Sequence, residues 1–168
     1  MTLTSLAHFQ TSSLNRSESK MENFDELERK IAEEMRKVYS PKVIEHFQNP
    51  RNLGSIPSPD GFGRVIGPCG DTMQVYLKIK DNYILEVKFL TDGCGTSLAS
   101  GSMLTELVRG KSISEALRIT PDDILNALGG LPEESVHCAF LASDTLKEAM
   151  KDYLAFKNEP WKRIYTHR

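Results

Sequence analysis

The 168-residue chain has little cysteine, one tryptophan and almost no imbalance of charge. Three cysteines, Cys69, Cys94 and Cys138, are too few for a disulfide framework, and an odd number leaves at least one thiol free. That pattern fits a reducing, cytoplasmic setting, in which cysteines bind metal, catalyse or fill a core. A net charge of -2, from 21 Lys plus Arg against 23 Asp plus Glu, argues against nucleic-acid binding. Phosphate recognition usually shows as a strongly basic face. Long apolar runs are missing too. Tyr83-Ile84-Leu85 falls far short of the roughly 20 residues that cross a bilayer, so no membrane partner is expected. What remains is a chain of one domain's usual length, large enough to stand without disulfide staples.

Met1–Lys20 is unlike the rest, rich in Ser, Thr and Leu, with Arg16 and Lys20 but a single acid, Glu18. A transit peptide would be Ser-rich and acid-poor but richer in Arg. A disordered or weakly helical extension of a cytosolic protein fits the composition better. Residues 1–21 are therefore expected to form a flexible extension, followed by a helix over 22–38. Asn23 and Glu26 make a capping box for it, and Phe24, Leu27, Ile31, Met35 and Val38 recur at helical spacing. Ser40-Pro41 opens a second, short surface helix ending near Asn49-Pro50. His46 on that helix is expected to be structural, as are His8 and His167 in the termini.

The period then changes to two. Phe62–Ile66, Met73–Ile79 and Leu85–Phe89 read as strands, with Leu85, Val87 and Phe89 on one face and Asp81-Asn82 as a tight reversal. Helices follow from about Thr96 to Arg109, from Ser112, from Thr120-Pro121 to Gly129, and from Cys138 to Asn158, with 159–168 as a tail. Leu141, Leu146, Ala149, Met150, Tyr153 and Leu154 form the apolar stripe of the last helix. Strands first and helices after predict an α+β fold over 39–158: a three-stranded antiparallel β-meander with helices on one face, preceded by an N-terminal helical extension.

The cysteines stand where chemistry wants them. Cys69 lies in Gly67-Pro68-Cys69-Gly70-Asp71, before a strand. Cys94 lies in Asp92-Gly93-Cys94-Gly95-Thr96, between strand and helix, and Cys138 follows His137 at a helix start. A helix N-terminus lowers a thiol pKa, and flanking glycines let a ligand approach the backbone. A lone Cys in an apolar stripe is most often a small hydrophobe, but none of the three lies in such a stripe. Three soft thiolates with one nitrogen or oxygen ligand suit zinc, copper(I) or an iron–sulfur cluster. Spacings of 25 and 44 residues differ from paired C-x-x-C knuckles, so only the tertiary fold assembles the site. A site held on loops in this way suits exchange of its contents.

Taken in order, these motifs resemble the U-type iron–sulfur cluster assembly scaffold family, related to the N-terminal domain of the nitrogen-fixation scaffold. The resemblance runs from Tyr39 to Phe156. It is carried by Tyr39-Ser40-Pro41-Lys42-Val43-Ile44-Glu45-His46-Phe47, Asn49-Pro50-Arg51-Asn52-Leu53-Gly54, Cys69-Gly70-Asp71, Asp92 through Ser102, and His137-Cys138-Ala139-Phe140-Leu141-Ala142. It implies a scaffold, not an enzyme, on which a [2Fe–2S] cluster is built from iron and persulfide sulfur supplied by a cysteine desulfurase. The cluster then passes to apo iron–sulfur acceptor proteins. Cys69, Cys94 and Cys138 would be the cluster-ligating, sulfur-accepting thiolates, Asp71 the labile ligand and His137 the neighbouring fourth-ligand candidate. Zinc in the as-isolated protein and a homodimer in the cluster-loaded form are further implications. Members served by a dedicated chaperone carry Leu-Pro-Pro-Val-Lys before the His-Cys pair. Here Leu131-Pro132-Glu133-Glu134-Ser135 places two acids there, which argues against that chaperone.

Two other functions compete. A zinc-dependent sulfur acceptor resembles the chain at Cys69, Asp71, Cys94 and Cys138, but carries an insertion before the last cysteine and lacks the His in front of it. A Cys–His–Asp hydrolase or acyltransferase would leave two cysteines unexplained.

Overall fold

The computed structural model describes residues 11–162, so His8, His167 and the first ten residues of the extension lie outside the described part. The chain divides after Val38 into two compact units. The first holds one helix, α1, Thr11–Val38. It begins twelve residues before the expected capping box, so Asn23 is interior and Thr11–Met21 of the extension is helical. On α1 the stripe of Phe24, Leu27, Ile31 and Val38 is exposed, while Glu26–Lys30 and Glu34–Lys37 pair along the helix surface.

The second unit starts with α2, Pro41–Gln48, whose Ser40 N-cap accepts the Val43 N–H and whose Pro41 occupies the first turn. Three strands follow: β1, Gly61–Ile66; β2, Thr72–Lys80; and β3, Tyr83–Thr91. They form an antiparallel sheet in the order β1-β2-β3, the expected meander. Asp81 and Asn82 both take positive φ, 53° and 65°, closing the β2–β3 reversal with two residue types that tolerate the left-handed region. The remaining elements are α3, Gly95–Val108; α4, Ile113–Ala116; α5, Pro121–Leu128; and α6, His137–Phe156. Ser112 with Glu115 and Thr120 with Asp123 form capping boxes on α4 and α5. Short 3-10 turns occupy Glu133–Ser135 and Pro160–Lys162, the latter in the expected tail. No helix of the described residues is long and apolar enough to cross a membrane.

The core lies between one sheet face and α3 and α6. Met73, Val75 and Leu77 of β2 and Ile84, Val87 and Phe89 of β3 meet Ala99, Met103 and Leu104 of α3 and Ala142, Leu146 and Met150 of α6. The expected face of β3 is corrected at one position. The register shifts between Lys78 and Ile79, so Lys78 pairs with Glu86 but Ile79 pairs with Ile84, and Leu85 is left over. An extra residue in one strand reverses the alternation beyond it. Ile84 is therefore buried and Leu85 exposed. Leu154 on α6 is exposed as well, while its neighbour Tyr153 packs against the core.

The position of α6 depends on two glycines of β1. A methyl group on Gly63 would stand 2.4 Å from the Thr145 carbonyl oxygen and 2.5 Å from the Ala149 nitrogen. Gly61 is met as closely by the Ala149 carbonyl oxygen, at 2.5 Å. Gly63→Ala is thus expected to push α6 off the sheet and cost about 1–3 kcal/mol, the usual penalty of overpacking. Urea unfolding of parent and variant checks this through the shift in midpoint at constant slope.

His46 is not on the surface, as the sequence suggests, but 2 % exposed. Its Nε2 receives a guanidinium N–H of Arg51 at 2.7 Å, which leaves the proton on Nδ1 to donate to Ser102 Oγ of α3, also at 2.7 Å. Ser102 Oγ accepts the Arg51 backbone N–H too, at 2.8 Å. Burial first, and then the Arg51 charge, hold the His46 pKa below its ordinary value. Its role remains structural, as expected, but it is a polar tie between α2 and α3. Arg51 extends the tie to Glu106 and Glu45.

Candidate metal centre

Three chain segments meet at one end of the sheet. The β1–β2 loop, Gly67–Asp71, carries Cys69; the β3–α3 connection carries Cys94; and the first turn of α6 carries Cys138. Gly70, at φ 89°, allows the first loop to turn, and the Gly67 N–H closes it on the Asp71 carbonyl at 2.8 Å. Asp92 joins the first two segments, its Oδ1 accepting the Thr72 N–H at 2.6 Å. The Thr91 hydroxyl donates to the Thr72 carbonyl and accepts the Gly93 N–H, at 2.8 and 3.1 Å. Asp92 opens the Cys94 motif, where nothing in the local pattern marks it as functional. Its work is to hold the two cysteine loops side by side.

Cys94 is the N-cap residue of α3, and the next residue has no side chain for a reason. A methyl on Gly95 would stand 2.7 Å from the Phe47 ring, so α2 presses on the backbone beside Cys94. The two hydroxyl residues that follow, Thr96 and Ser97, are buried, and they organise the site. Thr96 Oγ1 lies 3.0 Å from Cys94 Sγ and 3.4 Å from Cys138 Sγ. Ser97 Oγ donates to Asp71 Oδ2 at 2.8 Å and stands 3.3 Å from Cys138 Sγ and 4.0 Å from Cys94 Sγ. His137 Nε2 is 3.7 Å from Cys138 Sγ.

The three thiols are free, but they are not equivalent. Cys69 and Cys94 are exposed, whereas Cys138 is fully buried. Partial burial alone would raise the Cys94 pKa, yet the Thr96 hydroxyl, the Ser97 and Thr96 backbone N–H groups and the Ser97 hydroxyl outweigh it and lower the value. The expectation of a lowered pKa at a helix start holds there. It fails for Cys138, where burial raises the pKa and the Ser97 and Thr96 hydroxyls only partly offset the rise. The nearby Cys94 and Cys69 sulfurs push it up further. Nor is Cys138 a loop position, since it shares the α6 turn with the core residue Ala139.

Asp71, Cys94 and Cys138 thus converge on the Ser97 and Thr96 hydroxyls, with His137 beside Cys138 and Cys69 on the exposed loop. Among the described residues no three His, Cys, Asp or Glu groups are already drawn in to metal-holding distance. The hydroxyls stand between the donors. As a donor set, three thiols with one carboxylate or imidazole suit a soft, four-coordinate metal. The sequence did not single out Thr96 and Ser97 as functional. The signal available was two hydroxyl residues directly after an N-cap cysteine, on a helix whose buried positions include Ser100, Ser102 and Thr105 as well.

A family model described as "NifU-like N terminal domain" matches residues 38–160. The chain is 53% identical over 117 residues to "Iron-sulfur cluster assembly scaffold protein IscU 1" of Archaeoglobus fulgidus, an alignment covering 69% of this chain and 76% of that protein. It is 47% identical over 121 residues to "Iron-sulfur cluster assembly scaffold protein IscU" of Escherichia coli, covering 69% and 94%. Among solved structures, an N-terminal NifU-like protein from Brucella abortus superposes with a TM-score of 0.57 at 23% identity, covering 70% of this chain and 95% of that one.

Proposed function

Since the chain belongs to the NifU-like N-terminal domain family, we propose that it is a scaffold on which an iron–sulfur cluster is assembled and from which the cluster is handed on. The observation that carries this reading is the convergence of one exposed low-pKa thiol, one buried thiol and a carboxylate from three separate segments. The cluster is cargo rather than a resident cofactor, and no catalytic turnover is involved. In finer detail the cargo is a [2Fe–2S] cluster held by Cys69, Cys94 and Cys138, with Asp71 as the labile ligand and His137 in reserve. Zinc occupies the same donors when iron and sulfide are scarce, since thiolates with an imidazole or carboxylate suit it equally. The proposed partners are a sulfur donor of the cysteine desulfurase class and apo acceptor proteins, in the cytoplasm.

Sulfur arrives first. The Cys94 thiolate attacks the outer sulfur of the donor's persulfide. The bond between the donor's two sulfurs breaks, the donor cysteine leaves as thiolate, and Cys94 carries the new persulfide. Cys94 suits this step because it is exposed and has a depressed pKa. Cys138 does not, being buried with a raised pKa. Incubation with a desulfurase and cysteine, followed by mass spectrometry of the intact protein, is expected to show one added sulfur that Cys94→Ala abolishes and Cys138→Ala leaves. An adduct absent from the parent protein would mean that it receives clusters ready-made. The zinc-dependent sulfur acceptor would take the same adduct, and is separated from the scaffold by whether a cluster can be built.

A further inference from the structure

Asp71 is fixed at its backbone and free only in its side chain. Its carbonyl accepts the Gly67 N–H at 2.8 Å, and the next N–H, of Thr72, is held by Asp92 at 2.6 Å. What decides where the carboxylate points is therefore its own hydrogen bonding and packing. Ser97 Oγ has one proton to give. Asp71 Oδ2 lies at 2.8 Å, whereas the Cys138 and Cys94 sulfurs lie at 3.3 and 4.0 Å. The short bond to a carboxylate oxygen takes the larger share of that proton, because such bonds are stronger than the longer ones to sulfur. The other side of the carboxylate rests on bare backbone. A methyl on Gly93 would stand 2.4 Å from Asp71 Oδ2 and 2.6 Å from the Cβ and Oγ of Ser97. Ser97 is itself fully buried in the first turn of α3.

We infer that Ser97 is a positioning residue that latches the Asp71 carboxylate beside Cys138 and thereby sets how fast metal leaves the centre. The inference rests on the proposed function, in which Asp71 is the ligand that lets go. With Oδ2 tied to Ser97 and wedged against Gly93, the carboxylate cannot swing through the site or lead water and competing ligands to the metal. Without the hydroxyl, rotation about the Asp71 side chain is unopposed. Outer-shell partners of this kind carry about 10–100-fold in metal affinity.

The test uses Co2+, whose thiolate charge-transfer absorption reports occupancy of the centre, released into excess chelator. Ser97→Ala is expected to release Co2+ about tenfold faster than the parent, with some fall in the thermal midpoint from the lost hydrogen bond to Asp71. Asp71→Ala is expected to release it more slowly, and Ser97→Ala is expected to accelerate release far less in the Asp71→Ala background, where only its contacts to the Cys138 and Cys94 sulfurs remain. A purely structural serine would act equally in both backgrounds. Release from Ser97→Ala at the parent rate, or an equal acceleration in the Asp71→Ala background, would overturn the inference while leaving the scaffold reading intact. If the parent and Cys94→Ser bound and released Co2+ alike, the thiol centre itself would be misassigned, and the proposed function would fall together with the latch.

Discussion

Cluster retention is expected to collapse when any one of Cys69, Cys94 or Cys138 is replaced by serine. A hydroxyl is a harder and far less acidic donor than a thiol, so iron loses a strong bond at each position. A lost ligand should exceed the 10–100-fold that outer-shell partners carry, leaving under about a tenth of the parental cluster after desalting. The three variants should differ in their folding. Cys69 and Cys94 are exposed, and serine there exchanges one solvated group for another. Cys138 is fully buried, but its sulfur lies 3.4 Å from the Thr96 hydroxyl and 3.3 Å from that of Ser97. A serine hydroxyl there finds partners at once, so Cys138→Ser should fold. Cys138→Ala would isolate the effect of the missing ligand, since alanine needs no hydrogen bond. Iron and sulfide analysis of the desalted proteins, with circular dichroism beside it, checks both halves of the expectation. Undiminished clusters in all three serine variants would remove the assigned site.

The second large effect is expected at Asp71. Asp71→Ala should make the loaded protein more persistent and a poorer donor. A carboxylate binds iron less firmly than a thiolate and yields first to an incoming ligand. Removing it takes away the weak point of the shell, and with it the ready path for exchange. The bland alternative, a side chain that only supports the Gly70 turn, fits the structure less well. The loop closes through the backbone bonds of Gly67 to Asp71 and Gly70 to Gly67, while the carboxylate turns away to Ser97. Decay of the visible absorbance in air and transfer to an apo acceptor, followed for parent and variant, separate the two. Slower decay with slower transfer supports the exchange role. Unchanged transfer with a lowered thermal midpoint would leave Asp71 as a turn residue.

Local pattern carried most of the fold. The alternation in Met73–Ile79, the Asp81-Asn82 reversal and the Ser112 and Thr120 caps are features in which neighbouring residues determine the outcome, and each forms as read. What local pattern could not carry was relational. Leu85 alternates with Glu86 as well as any strand residue does, and only pairing with β2 creates the bulge that turns it outward. His46 sits on a helix of eight residues that looks amphipathic and exposed, and only the return of α3 with Ser102 buries it. The start of α1 was missed because Asn23 and Glu26 make a valid capping box that a continuing helix overrides.

At the centre, Cys69 and Cys94 were legible as candidate ligands because thiols flanked by glycine are poor core fillers, and the fully buried Cys138 by its place after His137 at a helix start. Their inequality was not. Whether a thiol is stabilised as thiolate or held protonated depends on burial and on hydroxyls from α3, which are distant in sequence from Cys138. Spacings of 25 and 44 residues carry no information about such contacts.

Whether this chain builds a cluster and gives it away is decided by anaerobic reconstitution with ferrous iron and sulfide. The expected result is a red-brown protein with sulfide-to-iron bands, iron and acid-labile sulfide in equal amounts, and a matching spectrum gained by an apo acceptor as the donor loses it. A colourless protein that keeps stoichiometric zinc under the same conditions and still accepts sulfur from a desulfurase would contradict it.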